Sequence, residues 1–228
     1  MKAKYDKKDE EEIVLVVNEI CHDLEENYEK ENSVMHMVEN NTWKAFLRGV
    51  NFKNKKILEI GTGTGFLPLF FIKNQIQFDE FTCTDIGKNI LLKAENNIIK
   101  ENSKQNLRLN FKFKKLDGKN LPFDDNSYDI VIMNSVLHHL PDVKYFFKYS
   151  SRVLNKDGLL IIGHEPNFYF YNSIFLFFNY RLLGFFFKVL GKFRNFILNK
   201  SSLEETTMIN KVNLQLKKRN LIKSDLNL

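Results

Sequence analysis

The chain has 228 residues, 43% hydrophobic and 14% aromatic, enough for one cored domain with an accessory element. Its net charge of +6 permits contact with nucleic acid or anionic lipid and establishes neither. The two cysteines, Cys21 and Cys83, fit no metal or disulfide spacing and read as buried small hydrophobes in a reducing cytosol.

The N-terminal stretch "MKAKYDKKDEEEIVL" carries acids and no long apolar core, so it does not read as a secretory signal. No run reaches the ~18–20 uncharged apolar residues of a spanning helix. Ile13, Val16, Val17, Ile20 and Leu24 recur at helical spacing and predict a helix over 9–29. A second helix is predicted over 34–49, ended by Gly49. The pattern then changes. Strands are predicted at 56–60, 80–86, 107–117, 128–135 and 158–165, with helices at 67–75, 89–102 and 143–154 between them. Such alternation predicts a doubly wound α/β domain: a mostly parallel Rossmann-like sheet with helices on both faces. Its ligand is expected at the carboxyl ends of the strands.

The first strand, "KILEI", runs directly into glycines. A strand that turns at once into a helix must bend sharply, and the free N–H groups of that helix favour a polar ligand. Gly61, Gly63 and Gly65 give G-x-G-x-G, and Phe66 stands in the place of the third glycine of a dinucleotide fingerprint, which is therefore absent. The loop also lacks the Gly-Lys-Ser/Thr ending of a phosphate loop. No basic residue lies in it, while Glu59 stands just before it. An acid there is awkward beside pyrophosphate and suits a cofactor with a positive amino group. Alone, the loop is also consistent with a tight turn that holds nothing.

Asp85 ends the second strand, 20 residues after Gly65. An acid there accepts ribose hydroxyls in this architecture, or caps the following helix. Asp117 and Gly118 follow the third strand. They read as an adenine contact or as a plain turn.

Four stretches, "ILEIGTGTGFL", "CTDIG", "LDGKNLPFDDNSYDIVIMNSVLHHLPD" and "LNKDGLLIIGHEPN", resemble the successive motifs of class I S-adenosylmethionine-dependent methyltransferases. The resemblance covers roughly residues 55–167. It implies a seven-stranded sheet with S-adenosylmethionine over the first strands. By that pattern Glu59, Gly61, Thr62, Gly63 and Gly65 meet the methionine portion. Asp85, with Ile86 beside it, matches the ribose site, and Asp117 with Gly118 the adenine site. Asn134 and Ser135 match the edge nearest the transferring methyl. The activity implied is methyl transfer to a small-molecule or lipid-like acceptor. The rival is a non-catalytic cofactor-binding or membrane-docked protein with a degenerate methyltransferase fold.

The sulfonium makes its methyl electrophilic without a metal, so the enzyme need only align donor and acceptor. Proximity and orientation supply on the order of 7–11 kcal/mol at best. A base is needed only if the acceptor loses a proton. His138 and His139 are the base candidates; as sequence neighbours they are expected to point apart, with at most one facing the cleft. With no third ligand nearby, no metal is expected. His164 and Glu165 end the fifth strand and are further candidates. The acids of "PFDDNSYD", Asp129 among them, read as solvated or structural.

Residues 168–200 are crowded with aromatics and carry Arg181, Lys188, Lys192 and Arg194 with no acid. As a helix, their polar residues fall on one narrow stripe. Three readings stand: a cap buried on the sheet, an interfacial helix with cations toward lipid headgroups, and a self-association surface or lid over a greasy substrate. The lysines are too scattered for a nucleic-acid surface. The expected localisation is cytoplasmic, with peripheral membrane contact if the interfacial reading holds. The expected divisions are 1–50 helical cover, 51–167 cofactor-binding core, 168–200 aromatic basic segment, and 201–228 C-terminal helix and short strand. The helix of that last part is expected to end near Asn220, leaving 222–228 for a sixth strand and the antiparallel seventh missing or replaced. Such a chain is expected either to bind cofactor poorly or to need a partner that covers its sheet edge.

Overall fold

The computed structural model describes residues 7–24, 33–116, 121–165 and 201–222, with the backbone alone for 7–9, 21–24, 33–39 and 201–208. In chain order the elements are α1 (Lys7–Leu24), α2 (Ser33–Phe46), β1 (Lys56–Ile60), α3 (Phe66–Lys73), β2 (Glu80–Asp85), α4 (Lys88–Lys104), β3 (Phe111–Lys115), β4 (Tyr128–Asn134), a 3₁₀ turn (Leu137–His139), α5 (Val143–Val153), β5 (Leu154–Gly163) and α6 (Ser201–Lys218). The chain divides into two units, Met1–Gly163 with the sheet and His164–Leu228 with α6.

Five strands pair in the order β3-β2-β1-β4-β5, all parallel. Successive strands run one way from β1 to β3 and the other way from β4 to β5. The order therefore reverses beside β1, where an open α/β sheet leaves its crevice. β1 is buried from Ile57 to Ile60 and alternates between two cores. Ile57 packs with Trp43 and Leu47 near α2, Phe70 and Phe71 of α3, and Ala94 and Ile98 of α4. Leu58 and Ile60 pack with Val131, Met133, and Phe146 and Val153 of α5 on the other face. This is the doubly wound arrangement the sequence predicts. In the first core Phe71 makes edge contacts with Phe52, Phe78 and Phe81 at 4.9–6.1 Å between ring centroids. Each fully buried ring contributes about 1.5–3 kcal/mol by leaving water.

Several boundaries differ from expectation. β3 begins at Phe111 rather than residue 107, and only its Phe111 and Phe113 side reaches the core. Its other face carries Lys112, which pairs with Glu80 at 2.6 Å and keeps the edge charged. β5 begins at Leu154, with a register shift opposite Tyr128–Ile130 that absorbs the turn at Asp157 (φ 65°). Asp129 has a structural role. It accepts hydrogen bonds from the Lys56 amide at 2.9 Å, Lys55 Nζ at 3.2 Å and Asn155 Nδ2 at 3.3 Å, tying together β1, β4 and the start of β5.

In the second unit α6 ends through Asn220 in the left-handed region (φ 57°), with Asn220 N–H on Lys217 O and Leu221 N–H on Leu216 O. The strand expected at 222–228 and the aromatic segment lie outside the described residues, apart from Ile222. Among the described residues no helix is long and apolar enough to cross a membrane.

Candidate active site

The site grows from the end of β1. Gly61, Gly63 and Gly65 all take positive φ, 72°, 56° and 98°. At Gly61 the demand is also steric: a Cβ would lie 2.4 Å from Val136 Cγ2. That contact locks the loop to the chain leaving β4. At Gly63 a Cβ would meet nothing within 4 Å, so space lies open over the middle of the loop.

Two carboxylates organise this turn. Glu59, 1% exposed, accepts the Thr62 hydroxyl at 2.6 Å, and its carbonyl accepts Thr84 Oγ1 at 2.6 Å. Thr62 N–H reaches Thr84 O at 2.8 Å, stitching the loop to β2. Asp85, 4% exposed, accepts Gly63 N–H on Oδ2 at 2.8 Å and Gly87 N–H on Oδ1 at 3.0 Å. Its carboxylate thus bridges the loops after β1 and β2. Gly87 is the N-cap residue of α4 and has no side-chain cap of its own. Ile86 is half-buried between these two.

Burial pushes the Glu59 carboxyl up to about 8; the Thr62 hydrogen bond opposes the rise and the Asp85 charge adds to it. No cation among the described residues pairs with Glu59. Burial, then the charge of Glu59, holds the Cys83 thiol well above its ordinary value, in keeping with a buried small hydrophobe.

The second wall is the end of β4. Ile60 pairs with Met133, so Asn134 stands beside the start of the glycine loop. Ser135 turns in the left-handed region (φ 58°) and donates its N–H to Gly163 O at 3.0 Å. The 3₁₀ turn then carries His138, exposed, and His139, half-buried. The expectation that the two imidazoles diverge is corrected: their centroids lie 4.1 Å apart with planes tilted 41°. A 3₁₀ turn separates neighbours by a third of a turn, not the half-turn of a strand. Asn18 of α1 steadies this turn by donating to His139 O at 3.0 Å.

The structure therefore brings together Glu59, Gly61, Thr62, Gly63, Gly65, Asp85 and Asn134, with Ile86 and the two histidines on adjoining turns. Asp117 and Gly118 lie outside the described residues. His164 and Glu165 fall in the second unit. Among the described residues no group of three or more His, Cys, Asp or Glu could hold a metal. Sequence reading misses Trp43 of α2, whose Nε1 donates to Asn134 Oδ1 at 3.3 Å. Nothing in the order of residues links positions 43 and 134.

These residues fit a cationic nucleoside cofactor. Asp85 and Glu59 flank a loop without lysine or arginine; the Asp85 carboxylate favours an ammonium or sulfonium and repels phosphate, and the Glu59 carboxyl, raised to about 8, adds to that field as a bound cation draws off its proton. The open space lies over Gly63, whose own amide Asp85 holds. Strand order, loop and carboxylates together define an α/β core of the S-adenosylmethionine-binding class.

Comparison with known proteins agrees. Residues 58–162 match the family described as methyltransferase domain. The ubiquinone/menaquinone biosynthesis C-methyltransferase UbiE of Rickettsia massiliae is 28% identical over 150 residues, 64% of this chain and 59% of that protein. Its counterpart from Rickettsia bellii is 29% identical over the same shares. The chain thus spans about 59% of the length of these curated relatives. A chain of the complex formed with the Haloferax volcanii Trm112 methyltransferase activator shares the fold at TM-score 0.50 and 18% identity, covering 61% of this chain and 57% of that one. Residues 58–162 thus form a methyltransferase domain of the class I S-adenosylmethionine-dependent kind, whose cofactor is S-adenosylmethionine.

Proposed function

We propose that this protein transfers a methyl group from S-adenosylmethionine to a ring carbon of a lipid-like, quinone-type precursor. The observation that carries the methyl-transfer reading is the bridge by which Asp85 and Glu59 hold the glycine loop around open space. The choice of a carbon acceptor is supported by the relatives, which are C-methyltransferases of ubiquinone/menaquinone biosynthesis.

Bound cofactor supplies an electrophilic methyl and a sulfur leaving group. The chain's part is to bind, orient and manage a proton. Asp85 holds the ribose hydroxyls; its oxygens can each accept more than one hydrogen bond. Glu59 faces the cationic end through the loop. A ring carbon beside the one that bears a hydroxyl becomes nucleophilic as the hydroxyl gives up its proton, and His138 or His139 takes that proton. We place the protein in the cytoplasm, docked peripherally on the membrane through residues 168–200, where a lipid-like acceptor would be met.

Calorimetric titration with S-adenosylmethionine and S-adenosylhomocysteine tests the first half. Absence of binding at millimolar cofactor sinks it. Incubation with methyl-labelled cofactor and a lipid extract tests the second half, and the label should appear in a quinone-type lipid. Binding without any transfer points instead to a non-catalytic cofactor-binding protein.

A further inference from the structure

The chain has one tryptophan, and it reaches the edge of the site from outside the sheet. Trp43 is 3% exposed. Its ring lies over Gly163 so closely that a Cβ there would sit 2.3 Å from Cζ2. From this seat Nε1–H donates to Asn134 Oδ1 at 3.3 Å. An indole nitrogen is only a donor, so the bond decides which way the carboxamide faces. The oxygen turns to the indole and the NH₂ turns away. Asn134 is half-buried, and among the described residues nothing accepts from Nδ2. An amide donor left without a partner destabilises the complex when it is desolvated. Closing the site over a ligand would incur that cost unless the ligand accepts the bond.

We propose that Trp43 is a positioning residue that fixes Asn134 as a hydrogen-bond donor, so that the site selects methyl acceptors carrying a carbonyl or phenolate oxygen near the carbon to be methylated. The proposal rests on the methyl-transfer reading above and names the acceptor chemistry it requires. When the ring hydroxyl has lost its proton to a histidine, charge rests on its oxygen. An electron pair from the ring carbon then forms the bond to the methyl carbon, the C–S pair stays on sulfur, and the oxygen becomes a carbonyl. Loss of the ring proton to solvent restores the aromatic ring. Nδ2–H stabilises the oxygen while it is most negative. An acceptor presenting N–H at this point meets a donor and is rejected.

A single tryptophan gives a single indole N–H resonance, which reads the contact directly. The ¹⁵N-labelled full chain, saturated with S-adenosylhomocysteine, is titrated with tetramethyl-1,4-benzoquinone and with tetramethylbenzene at equal ethanol. The quinone only accepts hydrogen bonds and has no ring position left to methylate. It should move the indole resonance and bind about three- to tenfold more tightly than the hydrocarbon, the worth of one hydrogen bond. Asn134→Asp keeps an oxygen for the indole and loses the N–H, so the resonance should persist and the preference vanish. Trp43→Phe keeps a ring over Gly163 and loses the donor; read by calorimetry, it should reduce the preference severalfold, and thermal unfolding checks that each variant folds. Equal binding of the two rings by the unaltered protein, or a preference surviving Asn134→Asp, overturns the assignment. Failure of S-adenosylhomocysteine to bind would instead bring down the methyl-transfer reading itself.

Discussion

Gly63 donates its amide to Asp85 Oδ2 at 2.8 Å, while the other oxygen of the same carboxylate accepts from Gly87. The side chain that would hold the ribose therefore also shapes the loop that would hold the rest of the cofactor. Asparagine cannot replace it, because its NH₂ would face one of the two backbone N–H groups. Asp85→Asn should lose about 1.5–3 kcal/mol of stability, the worth of a hydrogen bond to a charged group. Cofactor affinity should fall at least tenfold. Urea unfolding and calorimetry read the two effects separately. Undiminished stability would show that the carboxylate does not clamp the loop.

A second expectation concerns pH. Burial raises the Glu59 carboxyl from 4.5 to about 8, so between those values the folded protein binds a proton that the unfolded chain has released. Stability must then fall as pH rises from about 4.5 to about 8, and the cost is complete above 8. Every tenfold gain in proton affinity on folding is worth about 1.4 kcal/mol, which makes the whole effect on the order of several kcal/mol. Glu59→Gln removes the titration. Its advantage over the unaltered protein, measured by denaturant unfolding without cofactor, should be small near pH 5 and grow toward pH 8.5. A difference independent of pH would contradict the burial argument. A cationic cofactor should draw that proton off, so binding heats near pH 7 should depend on the ionisation enthalpy of the buffer.

Gly61 offers a double-mutant test. Alanine there suffers a left-handed backbone (φ 72°) and a Cβ 2.4 Å from Val136 Cγ2. The first costs about 1–2 kcal/mol and the second about 1–3 kcal/mol. Val136→Ala should relieve only the second. Gly61→Ala in the Val136→Ala background should therefore cost less than Gly61→Ala alone, but not nothing. Strict additivity would mean that the 3₁₀ turn is not locked to the glycine loop through this contact.

The cofactor half of the site is legible in sequence because its parts are local. Glycines, the acid before them and the acid ending β2 each sit at a strand end, and the apolar runs of β1 and β4 announce those strands. Two other features depend on distant packing. The Trp43–Asn134 bond joins residues 91 apart, made neighbours only because α2 folds back onto β4 and β5. The close, tilted contact of His138 with His139 depends on the chain entering a 3₁₀ turn, which a three-residue stretch of Leu-His-His does not advertise. The start of β3 is hidden for a related reason. "LRLNF" alternates as well as "FKFKK" does, yet pairing with β2 starts only at Phe111.

The remaining prediction concerns residues 168–200, which lie outside the described structure and carry five cations among many aromatics. If this segment lies in a membrane surface, the full chain should pellet with vesicles containing anionic lipid and less so at high salt. Each basic residue near such a surface contributes about 1 kcal/mol. Reversing Lys188 and Lys192 to Glu should then weaken binding by well over tenfold, with cofactor binding at the β1–β2 loops unchanged. Cation attraction and ring burial separate in neutral vesicles, where only the aromatics act and binding should be weaker. Equal pelleting with neutral and anionic vesicles, or pelleting indifferent to the two reversals, removes the electrostatic docking. No pelleting under either condition assigns the aromatics to packing within the protein, and the acceptor must then reach the glycine loop from solution.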